Sequence, residues 1–167
     1  GFQSKSDKVL WMIYDFGGGT FDVAIVQVRD GQIQIVNHGG DEYLGGKDID
    51  WKIVEQLLVP AVQKEYGLTD FTRGNPKWKT AFDQLKYHVE EAKIQLSRKP
   101  VYPIIIPHLY QDGQGKLMEF EYELQRSAID PLIEPFVVRS IDICKKVLEE
   151  KRLSTGNLEK IILVGGP

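Results

Sequence analysis

The sequence predicts a mixed fold, an α+β or α/β lobe with an inserted subdomain over residues 47–124, and three observations carry that prediction. Runs in which apolar and polar residues alternate are interleaved with stripes at helical spacing. The order they imply is three strands, two helices, two strands, one helix and one strand. Glycine clusters stand at the strand ends, at Gly17-Gly18-Gly19, at Gly39-Gly40 with Gly45-Gly46, and at Gly165-Gly166. A chain of 167 residues, 42% hydrophobic and 27% charged, is long enough to bury a core, which excludes disorder, collagen and coiled coil.

The opening residues 1–8 read as a linker or a cloning scar. Val9 to Tyr14 is a short apolar run, and after the glycine turn Phe21, Val23 and Ile25 alternate with polar neighbours. Asp30-Gly31 is a hairpin signal and Ile33 and Ile35 follow at period two, so an antiparallel meander is expected from Val9 to about His38. Ile49, Ile53, Leu57 and Ala61 recur at spacing four, which predicts a helix over 47–66 that stops at Gly67 and is bent by Pro60. Asn75 as cap and Pro76 at the first helical position announce a second helix, with a core stripe from Trp78 through Phe82, Leu85, Val89 and Ala92 to Leu96. Val101 to Pro107 and Leu117 to Leu124 flank the turn Asp112-Gly113-Gln114-Gly115 as a hairpin with one wet face. Ser127 with Asp130 resembles a capping box opening a long helix to about Lys151, in which Pro135 is ill at ease. A buried strand, Ile161 to Val164, closes the series.

Composition narrows the function. Acidic residues number 24 against 21 Lys and Arg, a net charge of −3, so no broad basic footprint for nucleic acid exists. The apolar runs are far shorter than the roughly 20 residues a membrane-spanning helix requires. A single cysteine, Cys144, forms no internal disulfide, and a soluble chain in a reducing cytoplasm is expected. His38, His88 and His108 show no metal-ligand spacing, and there is no Gly-x-Ser-x-Gly or His-Glu-x-x-His hydrolase signature.

The stretch with most chemistry in it is Asp15-Phe16-Gly17-Gly18-Gly19-Thr20-Phe21-Asp22. Glycines let backbone N–H groups converge on an anion, Thr20 adds a hydroxyl donor, and Asp15 suits a metal ion held through water. The competing reading is a tight hairpin with no ligand. A P-loop and a Rossmann turn both fail, because no Lys-Ser or Lys-Thr follows and the glycines lead into a strand, not a helix. The other two glycine groups each read as ordinary turns, yet three groups at strand ends fit a nucleotide across a sheet edge better than three unrelated turns. Glu90, Lys93 and Ser97 share one face of the second helix, which by itself reads as a solvated surface with a modest ion pair.

Four segments in order carry a family resemblance: Asp15 to Asp22, then Leu44-Gly45-Gly46-Lys47-Asp48-Ile49-Asp50, then Glu90-Glu91-Ala92-Lys93-Ile94-Gln95-Leu96-Ser97, then Ile162-Leu163-Val164-Gly165-Gly166. They resemble the seventy-kilodalton heat-shock chaperones of the DnaK type, from about Val9 to Gly166. The resemblance implies the second lobe of an actin-like, ribonuclease H-like ATPase domain, with an inner subdomain over 9–46 and 125–167 and an outer one over 47–124. It implies ATP or ADP with magnesium as cofactors. Asp15 would hold the magnesium through water, Gly17, Gly18, Gly19 and Thr20 would wrap the β- and γ-phosphates, and Asp15 and Thr20 would serve catalysis. Gly45 and Gly46 would line the cleft, Glu90, Lys93 and Ser97 would contact ribose and adenine, and Gly165 and Gly166 would close over the adenosine. The implied partners are the first lobe of the same domain, a nucleotide-exchange factor, a J-domain co-chaperone, and unfolded polypeptides bound through a domain outside this sequence. Lys47 departs from the family, which usually has Glu there.

Overall fold

Alternation in the first forty residues becomes a meander in the computed structural model, which describes residues 8–167. The linker expected over residues 1–8 lies, except for Lys8, outside the described residues. Strands β1 (Val9–Phe16), β2 (Phe21–Arg29) and β3 (Gln32–Asp41) pair antiparallel in sequence order. Asp30 and Gly31, at φ of 50° and 77°, make the left-handed turn that matches the twist of the β2–β3 hairpin. The alternation puts Phe21, Val23 and Ile25 on the buried face.

Strand β6 (Leu158–Gly165) adds to β1 in parallel, which gives the four-stranded mixed sheet the order β3-β2-β1-β6. This corrects one expectation. An apolar run such as Ile161 to Val164 suggests burial on both faces, but β6 is an edge strand and Leu163 is 75% exposed. Apolar composition reports what a strand can bury, and its place in the sheet decides what it does bury.

The described chain divides into two compact units, one made of residues up to Asp48 together with Pro135–Pro167, the other of Ile49–Glu134. In the first, the later half of helix α4 (Arg126–Glu149) is fixed to the sheet. The buried Ser140 hydroxyl donates to the Val137 carbonyl, so the Tyr14 phenol donates to Ser140 Oγ at 2.5 Å. Asn37 Nδ2 donates to the Val147 carbonyl at 2.9 Å, and Arg139 pairs with Asp41. A Cβ at Gly39 would stand 2.6 Å from Val147 Cγ2, so the helix lies directly on the backbone there. Cys144 is buried in this layer, which pushes its thiol up to about 11 and leaves it a packing residue.

In the second unit the helical stripe of Ile53, Val54, Leu58 and Val62 is fully buried. The helix expected over 47–66 is one helical run in three parts: α1 (Gly46–Ile53), a π-helical stretch (Val54–Leu58) and α2 (Val59–Tyr66). Pro60 has no N–H to give and sits in the first turn of α2, immediately after the wider π turn. Gly67 ends the run at φ 64° and donates to the Gln63 carbonyl. Gly67→Ala is expected to cost about 1 kcal/mol in chemical denaturation, through the left-handed backbone alone, since nothing lies within 4 Å of the new methyl.

Helix α3 (Lys79–Leu96) follows a short 3-10 turn over Pro76–Trp78, where Asn75 Oδ1 accepts from the Lys77 amide as the sequence predicts. Its stripe packs on the hairpin of β4 (Val101–Gln111) and β5 (Leu117–Gln125). Phe71 stacks on Phe82 and meets Trp78 edge-on, and Trp78 in turn packs tilted against Tyr110, with centroids 4.6–5.1 Å apart. The capping box expected at Ser127 does not form. Helix α4 begins one residue earlier, at Arg126, because its amide donates to the Pro100 carbonyl and its Nε to the Leu96 carbonyl. Ser127 Oγ turns back to Gln125 Oε1 instead.

Candidate functional site

At the end of β1 the chain must reverse into β2 after four residues, and the reversal is closed by the Gly17 amide donating to the Thr20 carbonyl at 2.9 Å. Asp15 pairs across to Asp22 and Phe16 to Phe21, so the ladder holds both feet of the turn. The amides of Gly18 and Gly19 donate to no protein acceptor among the described residues. Gly18 has nothing within 4 Å of the place a Cβ would take. Two amides without a protein acceptor, one of them at a position open to solvent, are what an anion requires, and they go beyond what the reversal itself needs. Thr20 Oγ1 is exposed and donates to Asp22 Oδ2 at 3.3 Å, a long bond that a better acceptor can displace.

The second glycine group is built onto the first. The Gly46 amide donates to the Gly17 carbonyl at 2.9 Å and the Lys47 amide to the Gly18 carbonyl at 2.8 Å. Asp48 closes the start of α1 reciprocally: its Oδ2 accepts from the Gly45 amide and its own amide donates to the Gly45 carbonyl, both at 3.0 Å. A Cβ on Gly45 would meet Gly19 C at 2.5 Å, Gly19 Cα at 2.7 Å and Gly18 O at 2.8 Å. Only glycine permits this backbone-on-backbone contact.

The third group lies at the same end of the sheet. Gly165, at φ 84°, is opposite Phe16 at the foot of β6, and a side chain there would run into the Phe16 carbonyl. Its Cβ position is 3.2 Å from Asp15 Oδ1, so Asp15, the turn, Gly45, Gly46 and Gly165 converge within the first unit. Gly166, next in the chain, is unobstructed.

Glu90 and Lys93 lie in α3 and Ser97 caps its C-terminus, all in the second unit, and each has local partners. Glu90 pairs with Lys86 Nζ at 3.3 Å. Ser97 Oγ donates to the Ile94 carbonyl at 2.6 Å. Lys93 is 8% exposed and donates from Nζ to Oδ1 of Asp50, itself 2% exposed, at 2.6 Å. Burial raises the Asp50 carboxyl above its ordinary value of 3.8, against the lowering effect of Lys93 and Lys86. Sequence reasoning missed Asp50 as a functional neighbour. The available signal was an acidic residue beside Ile49 and Ile53 on an otherwise buried helix flank.

The family model described as Hsp70 protein matches residues 1–167, the whole chain. The chain belongs to the Hsp70 family. It is consistent with a fragment of an Hsp70-type chaperone nucleotide-binding domain, and the family binds ATP and ADP. Among the described residues of this Hsp70 chain, no three His, Cys, Asp or Glu side chains converge as a metal site. Asp15 gives one carboxylate beside the turn, which fits a magnesium ion that arrives on nucleotide phosphates with its waters and does not fit a resident metal. No described helix is long and apolar enough to cross a membrane.

Proposed function

We propose that the chain is the second lobe of the nucleotide-binding domain of a DnaK-like chaperone, an actin-like ATPase that couples ATP hydrolysis to polypeptide binding in the cytoplasm. The observation that carries this reading is the turn Gly17 to Thr20, with two unpartnered amides and the Gly45-Gly46 backbone packed behind it. In this reading the amides of Gly18 and Gly19 hold the β- and γ-phosphates, and the Thr20 hydroxyl exchanges Asp22 for a γ-phosphate oxygen. Asp15 holds magnesium through water, and the ion neutralises charge that develops on the phosphates. The protein's part is positioning and charge stabilisation, for which no covalent nucleophile is needed.

Glu90, Lys93 and Ser97 take the ribose and adenine, and Gly165-Gly166 cover the adenosine. The segment 47–124 is the outer subdomain whose movement a nucleotide-exchange factor uses to release ADP. A first lobe, a J-domain co-chaperone and polypeptides bound elsewhere in the parent protein complete the cycle.

The test is single-turnover and steady-state ATP hydrolysis by the full-length parent, with and without an unfolded polypeptide. Slow hydrolysis that polypeptide accelerates is expected. Asp15→Asn and Thr20→Ala should each lower the chemical step by about tenfold or more, the value of one hydrogen bond to a charged group. The 167-residue chain by itself should not turn over ATP. Hydrolysis indifferent to polypeptide would indicate a non-chaperone actin-like ATPase, and absence of both hydrolysis and ADP binding a docking module.

A further inference from the structure

We infer that the Lys47 ammonium is an additional phosphate-binding group of the glycine turn, a cation that joins the amides of Gly18 and Gly19 in holding the terminal phosphates of a nucleotide. The inference rests on the nucleotide reading above and adds a group where the family usually has Glu.

Three observations place Lys47 there. Its amide donates to the Gly18 carbonyl at 2.8 Å, so its backbone is tied to the turn. Its side chain then runs along the turn. The Cβ position of Gly19 is 3.5 Å from Lys47 Nζ and 3.8 Å from Cε. The charge is also uncommitted. No carboxylate lies within 4.0 Å of Nζ among the described residues. The two carboxylates that follow it in sequence have other partners, Asp48 at the Gly45 amide and Asp50 at Lys93 and Lys86.

An exposed lysine without an ion pair, lying on bare glycine backbone, does nothing visible for the fold. Its stem buries little, and its charge meets no protein counter-charge. The same ammonium beside two free amides makes a site for an anion: the amides set direction and the lysine adds a compact charge on a flexible stem. A glutamate at this position would repel the same phosphates, so the substitution changes the sign of the local field. The expected consequence is tighter retention of nucleotides with more than one phosphate, with an affinity that falls more steeply with salt.

The test is magnesium-ADP binding to the 167-residue chain by calorimetry at low and at physiological salt, for wild type, Lys47→Met, Lys47→Ala and Lys47→Arg. Lys47→Met keeps most of the stem and removes the charge. Lys47→Met and Lys47→Ala should both bind ADP about tenfold more weakly, with a shallower salt dependence, and Lys47→Arg should stay within about threefold of wild type. Circular dichroism should show all four folded alike, since Lys47 is exposed. If Lys47→Met binds as wild type does, the lysine inference is overturned and the nucleotide reading stands. A loss in Lys47→Ala that Lys47→Met does not share would assign the effect to the stem and would also overturn it. If the wild-type chain alone binds no ADP, the same four variants are compared in the full-length parent, where failure of the wild type to bind overturns both readings.

Discussion

Lys93→Met should destabilise the second unit by about 3–5 kcal/mol, because it leaves the Asp50 carboxylate buried without its closest cation. The loss should fall toward the lower end of that range. Lys86 Nζ is 3.8 Å from Asp50 Oδ2 and more exposed than Lys93, so it can move in and compensate in part. The decisive comparison is the double variant Asp50→Asn with Lys93→Met. An amide carries no charge to bury, so the second substitution should restore much of what the first removes. Urea denaturation of wild type, both single variants and the double variant measures this as a cycle. A single variant that loses less than about 1 kcal/mol, or a double variant no better than the single, would show that the pair is not the buried contact described here.

The pH dependence follows from the direction of the Asp50 shift. Its folded pKa is raised above the ordinary 3.8, so the folded state binds this proton more readily than the unfolded chain. The stabilisation from this group is fully present below the unfolded pKa and is lost as pH rises through the folded one. In wild type Lys93 and Lys86 limit that loss without abolishing it. In Lys93→Met the largest lowering influence is gone, so acidification toward pH 5 should recover more stability than it does in wild type. Asp50→Asn in the same background should abolish the recovery.

Gly45→Ala should produce the second large effect, about 3 kcal/mol or more of destabilisation and loss of measurable ADP binding. The added methyl meets only backbone, at 2.5 to 2.8 Å from Gly18 and Gly19 atoms, and backbone has no rotamer by which to yield. Something must move, and the hydrogen bonds that join Gly46 to Gly17 and Lys47 to Gly18 are what holds it. Gly18→Ala is the control, since its Cβ would enter open space. It should leave stability within about 0.5 kcal/mol of wild type. If it nevertheless weakens ADP binding, the glycine there serves close approach of a phosphate and not the reversal of the chain. If Gly45→Ala folds and binds as wild type does, the packing of the second glycine group on the first has no bearing on the site.

Local structure was legible in the sequence because its causes are local. The Asp30-Gly31 turn requires two positive φ angles and the sequence provides residues that accept them. Period two in β2, the stripe of α3 and the caps at Asn75 and Gly67 follow from side-chain direction and from N–H and C=O groups within a few residues. The glycine groups, too, announced their own importance. Their spacing pointed to a phosphate and, through the resemblance, to a chaperone family that the match over the whole chain then established.

Other features depended on distance along the chain. Asp50 and Lys93 are 43 residues apart, and no window short enough to show a helix contains both. Each alone reads as a surface charge, and only the packing of their helices takes them from water, raises the carboxyl and makes the pair a structural dependency. Gly45 looked like an ordinary strand-to-helix glycine until the fold set it against Gly18 and Gly19. The run Ile161 to Val164 looked buried because composition cannot say whether a strand has neighbours on both sides. Sequence by itself therefore determined the elements, the family and the residues able to meet a phosphate, through local backbone preference and periodicity. Tertiary structure alone decided which charges are buried, which glycines touch backbone and which strand is an edge, because burial and contact are properties of chain segments that meet only once folded.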